Sequence, residues 1–175
     1  MSIPSKASDG DPISSRPHMP GYGLPSDGEG LMPFSWAEER LTKSHNYWIG
    51  TTRPDGRPHL MVIWGLWLEH VFYFSTGSES RKALNLSVNA HCVIGTERAE
   101  QAVVLEGTAK KVTDVALLKS VLALYARKYD YDMSSMEADI LGLKEPVYAV
   151  HPRVAFGLDE KATLQNMTRW RFQSE

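Results

Sequence analysis

A succession of β-type segments joined by short turns occupies residues 45–75. "HNYWIGTT" and "HLMVIWGLWL" are rich in aromatic and β-branched residues, and "RPDGRP" between them has the composition of a tight turn. A second short turn, at Glu69 and His70, leads into "VFYFS". These residues therefore predict three antiparallel strands in meander order.

Five later segments have the same β-type composition: "HCVIGTE", "AVVLEGTAKKV", "VYAVH", "VAFGL" and "TLQNMTRWRF". Short helices are predicted with Ser35 and Thr76 as N-caps, and a longer one begins after Asp114. The βαβ alternation that a parallel doubly wound sheet requires is absent. The pattern predicts a mainly β fold, an antiparallel β-barrel with a few helices, because closure of a barrel removes exposed strand edges.

Composition narrows the cellular setting and the kinds of partner. A chain of 175 residues, 42% hydrophobic, suits one domain, and a net charge of −2 provides no general attraction for nucleic acid or an anionic membrane. Cys92 is the single cysteine, and no apolar run is long enough to span a bilayer. The six histidines lack metal-ligand spacing. We expect a cytoplasmic protein without a metal site.

The stretch "FSTGSESRKALNLSVN" places Arg81 and Lys82 in the first turn of a predicted helix. Two cations there oppose the partial positive charge of a helix N-terminus, and a bound anion would remove the conflict. Hydroxyl and cationic side chains able to bind a phosphate are Ser75, Thr76, Ser78, Ser80, Arg81 and Lys82. The alternative is a solvated helix turn in which Arg81 and Lys82 contact Glu79 or water.

The long strand predicted from "HLMVIWGLWL" separates its side chains into two faces. His59, Met61 and Ile63 share one face, and the other face carries Leu60, Val62 and Trp64. Core packing explains this pattern without a ligand. Glycine at position 65 indicates a bulge or a close backbone approach, for which a flat ligand is one explanation.

Taken together, "YWIGTTRPDGRPHLMVIWGLWLEHVFYFSTGSESRKALNLSVNAHCVI", "VVLEGTAKKV", "HPRVAFG" and "TRWRF" resemble the pyridoxamine 5′-phosphate oxidase-like split β-barrel superfamily. The resemblance is greater to its flavin/deazaflavin oxidoreductase branch and covers about residues 36–172. It implies an FMN-binding split β-barrel that forms a homodimer, with two cofactor sites at the interface.

The resemblance also implies roles for individual residues. The strand at the edge of the isoalloxazine ring would comprise His59, Leu60, Met61, Val62, Ile63 and Trp64. Ser75, Thr76 and Ser80 would face the cofactor, and its phosphate would be held by Arg81 and Lys82. Arg169 and Trp170 would reach the site from the partner subunit.

Two departures from the oxidases in this superfamily affect the expected substrate. The segment matching "HLMVIW" begins with Arg and ends with Lys in those enzymes, whereas His59 and Trp64 stand here. The Arg-Leu-His run near their C-terminus is replaced by "TRWRF". An indole cannot pair with a substrate phosphate as a cation does, so we do not expect vitamin B6 oxidation.

The function that follows is hydride transfer between FMN, or the deazaflavin coenzyme F-420, and a small-molecule substrate that the sequence does not identify. No protein acid or base is apparent. The alternatives are a non-catalytic flavin- or haem-binding split barrel and a structural dimer without a ligand. An acidic F-420 tail would favour a basic groove, for which Lys110, Lys111, Arg127 and Lys128 are available, although solvated surface charges are the simpler interpretation.

Residues 1–33 form a Pro/Gly-rich arm that precedes the folded domain of residues 34–175. The arm holds six of the ten prolines and five of the thirteen glycines, and it has few apolar residues with which to form a core. Met19, Tyr22 and Leu24 are spaced as anchors, so the arm is expected to dock on the partner barrel near the cofactor. A disordered tail is the alternative.

Overall fold

The computed structural model describes residues 10–25 and 28–173, apart from the side chains of residues 163 and 164. The strands are β1 Ile13–Ser15, β2 Tyr47–Thr52, β3 Pro58–Ile63, β4 Leu66–Leu68, β5 Val71–Ser75, β6 His91–Thr96, β7 Gln101–Lys111, β8 Val147–Asp159 and β9 Thr168–Arg171. The helices are α1 Phe34–Lys43, α2 Arg81–Val88, α3 Val115–Tyr129 and α4 Ser134–Leu141, with a 3-10 helix at Glu160–Asn166.

All of these strands belong to one antiparallel sheet in the order β1-β9-β8-β7-β6-β2-β3, and β5 joins it beside β8 and also pairs with β4. β8 is the central strand, because its first half pairs with β5, its second half pairs with β9 and its other edge pairs with β7. Glu106 and Gly107 of β7 pair with Val154 and Pro152, so Arg153 of β8 is the extra residue of a bulge next to Pro152. Proline has no N–H for the ladder, so the bulge lets β8 continue as one strand where the sequence predicts two.

Two tight turns form the predicted meander. Between β2 and β3, the Arg53 N–H donates to the Arg57 carbonyl over 2.9 Å, and Gly56 has a positive φ of 84°. Between β4 and β5, Glu69 and His70 have φ angles of 48° and 62°, typical of a two-residue hairpin turn. The predicted long strand is divided into β3 and β4 by Trp64 and Gly65.

Two apolar clusters fill the interior. One lies within the sheet and includes Ile49, Phe72, Ile94 and Leu105, all of which are fully buried. The other packs α3 and α4 against β4, β5 and β8, and contains Leu118, Leu122, Tyr125, Tyr129 and Ile140. The longer helix predicted after Asp114 is therefore confirmed as α3, which is capped by Asp114 and has an exposed Val115 at its start.

Both predicted N-caps are displaced. α1 begins at Phe34 after Pro33, without a side-chain cap, so Ser35 lies inside the helix. α2 is capped by Ser80, whose hydroxyl accepts from the Ala83 N–H over 3.3 Å, and Thr76 lies in the loop before it. Arg81 and Lys82 are consequently the first two residues of α2, so they are closer to the helix start than the sequence predicts.

The described part of the N-terminal arm packs against the chain's own barrel. β1 pairs with β9, and the Arg16 guanidinium donates to the Met167 carbonyl over 3.0 Å. Met32 is buried in the core, and its N–H donates to the Thr168 hydroxyl over 2.9 Å. These segments therefore dock on their own chain, whereas the predicted anchor Tyr22 is exposed. Docking of the arm on a partner barrel stays a prediction. Residues 1–9, 26 and 27 lie outside the described residues.

Candidate functional site

The loop before α2 is held by the two residues that precede β8. The Ser75 hydroxyl donates to the Pro146 carbonyl over 3.2 Å, and the hydroxyls of Thr76 and Ser80 lie 3.0 Å apart. Glu145 accepts from the Ser78 N–H over 3.1 Å. Three of the predicted hydroxyl-bearing side chains therefore lie together and fix the loop from which α2 starts.

Three cationic side chains act on His59. Arg81 and Lys82 extend from the first turn of α2, and Arg53 belongs to the turn between β2 and β3. Desolvation lowers the pKa of His59, and the positive charges of Arg53, Lys82 and Arg81 lower it further. The β2–β3 turn and the first turn of α2 therefore place three positive charges within electrostatic range of His59, and we refer to these three side chains as the cation cluster.

The sequence did not identify Arg53 as part of this cluster. The sequence analysis assigned Arg53 only to the turn between two strands. The composition of a turn does not show which helix the turn approaches in the folded protein. Desolvation of the half-buried Lys82 also lowers the pKa of its ammonium group. An anion beside Lys82 would favour the charged ammonium and offset this effect.

A buried amide and a hydroxyl connect α2 to His59. Asn85 is fully buried, and its Nδ2 donates to Thr51 Oγ1 over 2.9 Å. Thr51 Oγ1 lies 3.4 Å from His59 Nδ1, and the two residues are directly paired between β2 and β3. Asn85 Oδ1 has no hydrogen-bond partner within the described part of the chain. These polar groups on β2 and α2 were not predicted from the sequence.

A cleft of about 1270 Å³ opens at this end of the sheet. Its wall includes Thr51, His59 and Leu60 from the β2–β3 hairpin and Lys110 from β7. His70, His91 and His151 also line it. The cleft is large enough for a flat cofactor and presents several nitrogen-bearing side chains to it.

The side chains of β3 follow the predicted alternation in part. Ile63 is buried, whereas Leu60 and Val62 are exposed on the opposite face. Met61 is 47% exposed although it pairs with the buried Ile49, because β3 is an edge of the sheet path. The exposed side chains of β3 would therefore be accessible to a ligand or to a second chain.

Trp64 lies at the end of β3 within an aromatic group. Its ring stacks on Tyr129 with centroids 4.3 Å apart and an angle of 8°, and the rings of His45 and Tyr131 meet it edge-on. The Tyr129 hydroxyl accepts from the Gly65 N–H over 2.8 Å and donates to the His45 carbonyl over 2.9 Å. Trp64 is thus held in a fixed position by the start of β4 and the end of α3.

Gly65 is required by a neighbouring side chain. A Cβ atom there would lie 2.1 Å from the Phe72 ring, so the flat group near this glycine is Phe72 and not a ligand. Lys128 donates to the Gly65 carbonyl over 3.0 Å and to the Tyr47 hydroxyl over 2.7 Å. Burial lowers the pKa of Lys128 to about 8. Lys128 therefore belongs to this internal network and not to a solvated basic groove.

The C-terminal residues predicted to reach a partner's site differ in their placement. Trp170 is fully buried in its own barrel, where its indole N–H donates to the Met32 carbonyl over 3.1 Å. Its ring lies against Gly157, where a Cβ atom would be 2.4 Å away. Arg169 is half-buried, and its Nε donates to Ser15 over 3.1 Å. Trp170 is a core residue and is not available to a cofactor bound by another chain.

Other kinds of chemistry receive little support from the described residues. Within residues 10–25 and 28–173, no three His, Cys, Asp or Glu side chains are grouped so that they could hold a metal ion. Burial raises the pKa of the Cys92 thiol to about 12, which removes its nucleophilic thiolate at neutral pH. Among the described helices, none has the length and apolarity needed to span a membrane.

Similar solved structures identify the class of fold. A conserved hypothetical protein of Mycobacterium tuberculosis, Rv2991, matches with a TM-score of 0.66 and 21% identity over 77% of this chain and 89% of its own. A structure named F420 reductase matches with a TM-score of 0.56 and 19% identity over 74% of this chain and 98% of its own. HutZ, the haem storage protein from Vibrio cholerae, matches with a TM-score of 0.56 and 16% identity over 66% of this chain and 87% of its own. The predicted fold class, a mainly β antiparallel split barrel, is confirmed.

The family follows from the sequence itself. Residues 34–148 match the family described as pyridoxamine 5′-phosphate oxidase. The chain belongs to this family, and the predicted superfamily is confirmed. Among curated proteins, none matches the chain significantly.

Proposed function

We propose that the chain is an oxidoreductase that binds FMN or coenzyme F-420 through its phosphate and passes hydride to or from a small substrate. The observation that carries the proposal is the cluster of Arg53, Arg81 and Lys82 beside His59, at the start of α2. Arg53, Arg81 and Lys82 form no ion pair within the described part of the chain, and three such cations in a weakly acidic protein would attract an anion locally. Membership of the family and the similarity to a structure named F420 reductase support a flavin-type ligand.

The residues present fit such a cofactor. Arg81 and Lys82, together with the free N–H groups of the first turn of α2, would hold the phosphate. Ser75, Thr76 and Ser80 would shape the loop beside it. When bound, a flavin or deazaflavin ring supplies the hydride chemistry, and the protein contributes position and electrostatics.

The exposed part of β3 would support the ring. His59, Leu60, Met61, Val62 and Trp64 are at least partly accessible, whereas the buried side chain of Ile63 leaves only its backbone for contact. Arg169 stays in the proposal as a peripheral contributor, and Trp170 is omitted because it is buried. The aromatic Trp64, where the resemblance has lysine, favours a substrate other than a vitamin B6 phosphate.

A homodimer is part of the proposal. Trp48 pairs with Val62, and Gly50 pairs with both Leu60 and Val93, so these residues share the outer face of the sheet. All four of the large side chains on this face are at least 40% exposed. Burial of such a face against a second copy would cover it and would bring the β3 strands close to the interface.

A non-catalytic haem- or flavin-binding protein is the second candidate. Four histidines line the cleft, and the haem storage protein HutZ has the same fold. Imidazole nitrogen is a common axial ligand of haem iron. In that case a cofactor would bind without turnover.

Equilibrium titration separates the two candidates. We would titrate the full chain with FMN, F-420 and haem, using Arg81→Ala and Arg57→Ala as matched variants. Arg57 is an exposed arginine paired with Asp55 in the same hairpin turn as Arg53. Tight FMN or F-420 binding that Arg81→Ala weakens and Arg57→Ala preserves supports the proposal, provided that a nicotinamide or reduced deazaflavin donor drives turnover. Haem binding without flavin binding contradicts it.

A further inference from the structure

We propose that Arg53 and His59 belong to the same anion pocket as Arg81 and Lys82, and that His59 takes up a proton when a phosphate or sulfate dianion binds there. The inference rests on the proposed phosphate site. It adds two residues to that site and couples ligand binding to pH. It is carried by the contacts of Asn85, Thr51 and His59 and by the charges around them.

The Thr51 hydroxyl can bond to His59 in either protonation state. Asn85 Nδ2 donates to Thr51 Oγ1, which leaves this hydroxyl with its own proton and one further acceptor lone pair. It can therefore donate to an unprotonated His59 Nδ1, 3.4 Å away, or accept from a protonated one. His59 lines the cleft, where a protonated Nε2 is a donor for an anion oxygen.

The charges that act on His59 are all positive. They come from Arg53 in the β2–β3 turn and from Arg81 and Lys82 on α2. The cleft wall also carries Glu69, the Glu106–Arg153 pair, His70, His91, Lys110 and His151. Without an anion, the three cations oppose an imidazolium. A dianion among them reverses the local field and stabilises the imidazolium.

The protonated ring also has hydrogen-bond partners available. His59 Nδ1–H would donate to Thr51 Oγ1, and the Thr51 hydroxyl would need a new acceptor. Asn85 Oδ1 is buried and lacks a partner among the described residues, and rotation of the amide would present it to Thr51. The same three side chains therefore satisfy both protonation states, with the direction of each hydrogen bond reversed. The proton balance is one proton taken from solvent for each dianion bound.

Sulfate is a suitable probe because it remains a dianion throughout the neutral range. We expect the full chain to bind sulfate about fivefold more tightly at about pH 6 than at about pH 8, measured by calorimetry. His59→Gln keeps a neutral N–H donor but cannot accept the proton, and should lose this dependence. His151→Gln, on β8 in the same cleft, should retain it. Equal affinity at both pH values in the unmodified chain overturns the inference.

Imidazole ¹⁵N spectra of the folded protein provide a second readout. The His59 ring should be neutral without sulfate and protonated at both nitrogens with sulfate at about pH 6. Arg53→Ala should weaken sulfate binding and raise the pKa of His59 in the free protein. A His59 resonance that sulfate does not change at any pH contradicts the inference, and so does sulfate binding that is unaffected by Arg53→Ala.

Failure of the inference differs from failure of the proposed function. If FMN or F-420 binds through Arg81 but sulfate affinity is independent of pH, the function stands and proton uptake is rejected. If sulfate binding depends on pH through His59 while neither cofactor binds, the proton-linked pocket stands and the oxidoreductase proposal is rejected.

Discussion

The buried side-chain amide of Asn85, on α2, donates to the buried hydroxyl of Thr51, on β2, over 2.9 Å. This bond joins the helix that begins with Arg81 and Lys82 to the strand beside His59. The distance between the cations and the cleft is therefore fixed by a specific polar contact in addition to the apolar packing of Leu86.

Asn85→Leu should destabilise the fold by about 1–3 kcal/mol, because it leaves the buried Thr51 hydroxyl without its donor. Urea unfolding monitored by tryptophan fluorescence would measure the loss. Ser87→Ala is the control, since the exposed Ser87 hydroxyl bonds only to the Leu84 carbonyl of its own helix. Equal stability of the Asn85 variant and the unmodified protein would show that this contact does not hold α2.

Gly65→Ala should destabilise the protein by about 1–3 kcal/mol or more, because a methyl group there would overlap the Phe72 ring. Gly95→Ala is a matched control in a strand, since its added methyl group would lie 3.8 Å from the Trp48 Cβ, an ordinary contact. Thermal unfolding of both variants gives the comparison. The close approach of Phe72 is refuted if Gly65→Ala melts at the same temperature as Gly95→Ala.

Lys128 should make stability rise with pH between about 8 and 10. Its pKa is about 8 in the folded protein and 10.5 as the ordinary value, with burial as the main cause. In this interval the unfolded chain binds the proton more tightly than the folded one, so raising the pH favours folding. Lys128→Met should flatten the curve, and Lys119→Met, an exposed change on the same helix, should not. Denaturant unfolding at several pH values across this interval measures the free energy of unfolding. The prediction is contradicted if this free energy depends on pH in the same way in the unmodified protein and in both variants.

Leu60→Asp should dissociate the proposed dimer, because it places a charge on the exposed apolar face shared by Trp48, Val62 and Val93. Val88→Asp is the control, an exposed apolar position on α2. Sedimentation at micromolar concentration should give a dimer for the unmodified chain and the control, and a monomer for Leu60→Asp. A monomeric unmodified chain that binds cofactor tightly would reject an interface-built site.

The β2–β3 and β4–β5 turns were predicted because their signals are local. Pro-Asp-Gly chemistry and a two-residue connection determine a hairpin without reference to the rest of the chain. A close approach at Gly65 was predicted from the glycine, but the division of the long strand was not, since it depends on Phe72, Tyr129 and Lys128 approaching the same backbone. Strand order in the sheet likewise depends on contacts distant in sequence.

Residues of the candidate site were predicted from the sequence only where a signal lies in the neighbouring residues. Arg81 and Lys82 were identified because helix electrostatics makes two cations at an N-terminus unusual. Arg53, Thr51 and Asn85 were missed because only the tertiary packing of α2 beside the β2–β3 hairpin brings them to His59. Trp170 was assigned to the site, but a short strand pattern does not show which face is buried, and its indole is in the core.

The central claim is that the start of α2 holds the phosphate of a flavin-type cofactor. The most direct test is the ratio of affinities for a phosphorylated cofactor and its phosphate-free form. FMN would be compared with riboflavin, and F-420 with its deazaflavin chromophore lacking the phosphate. Each ratio would be measured in the unmodified chain and in the Arg81→Ala/Lys82→Ala double variant, with circular dichroism confirming that the variant is folded.

For at least one of the two cofactors, the unmodified chain should prefer the phosphorylated form by about tenfold or more, because each charge-assisted bond to phosphate contributes about 1.5–3 kcal/mol. In the double variant the ratio should approach one, while the affinity for the phosphate-free form stays nearly constant. A ratio near one for both cofactors in the unmodified chain, or an undiminished preference in the folded double variant, would contradict the claim.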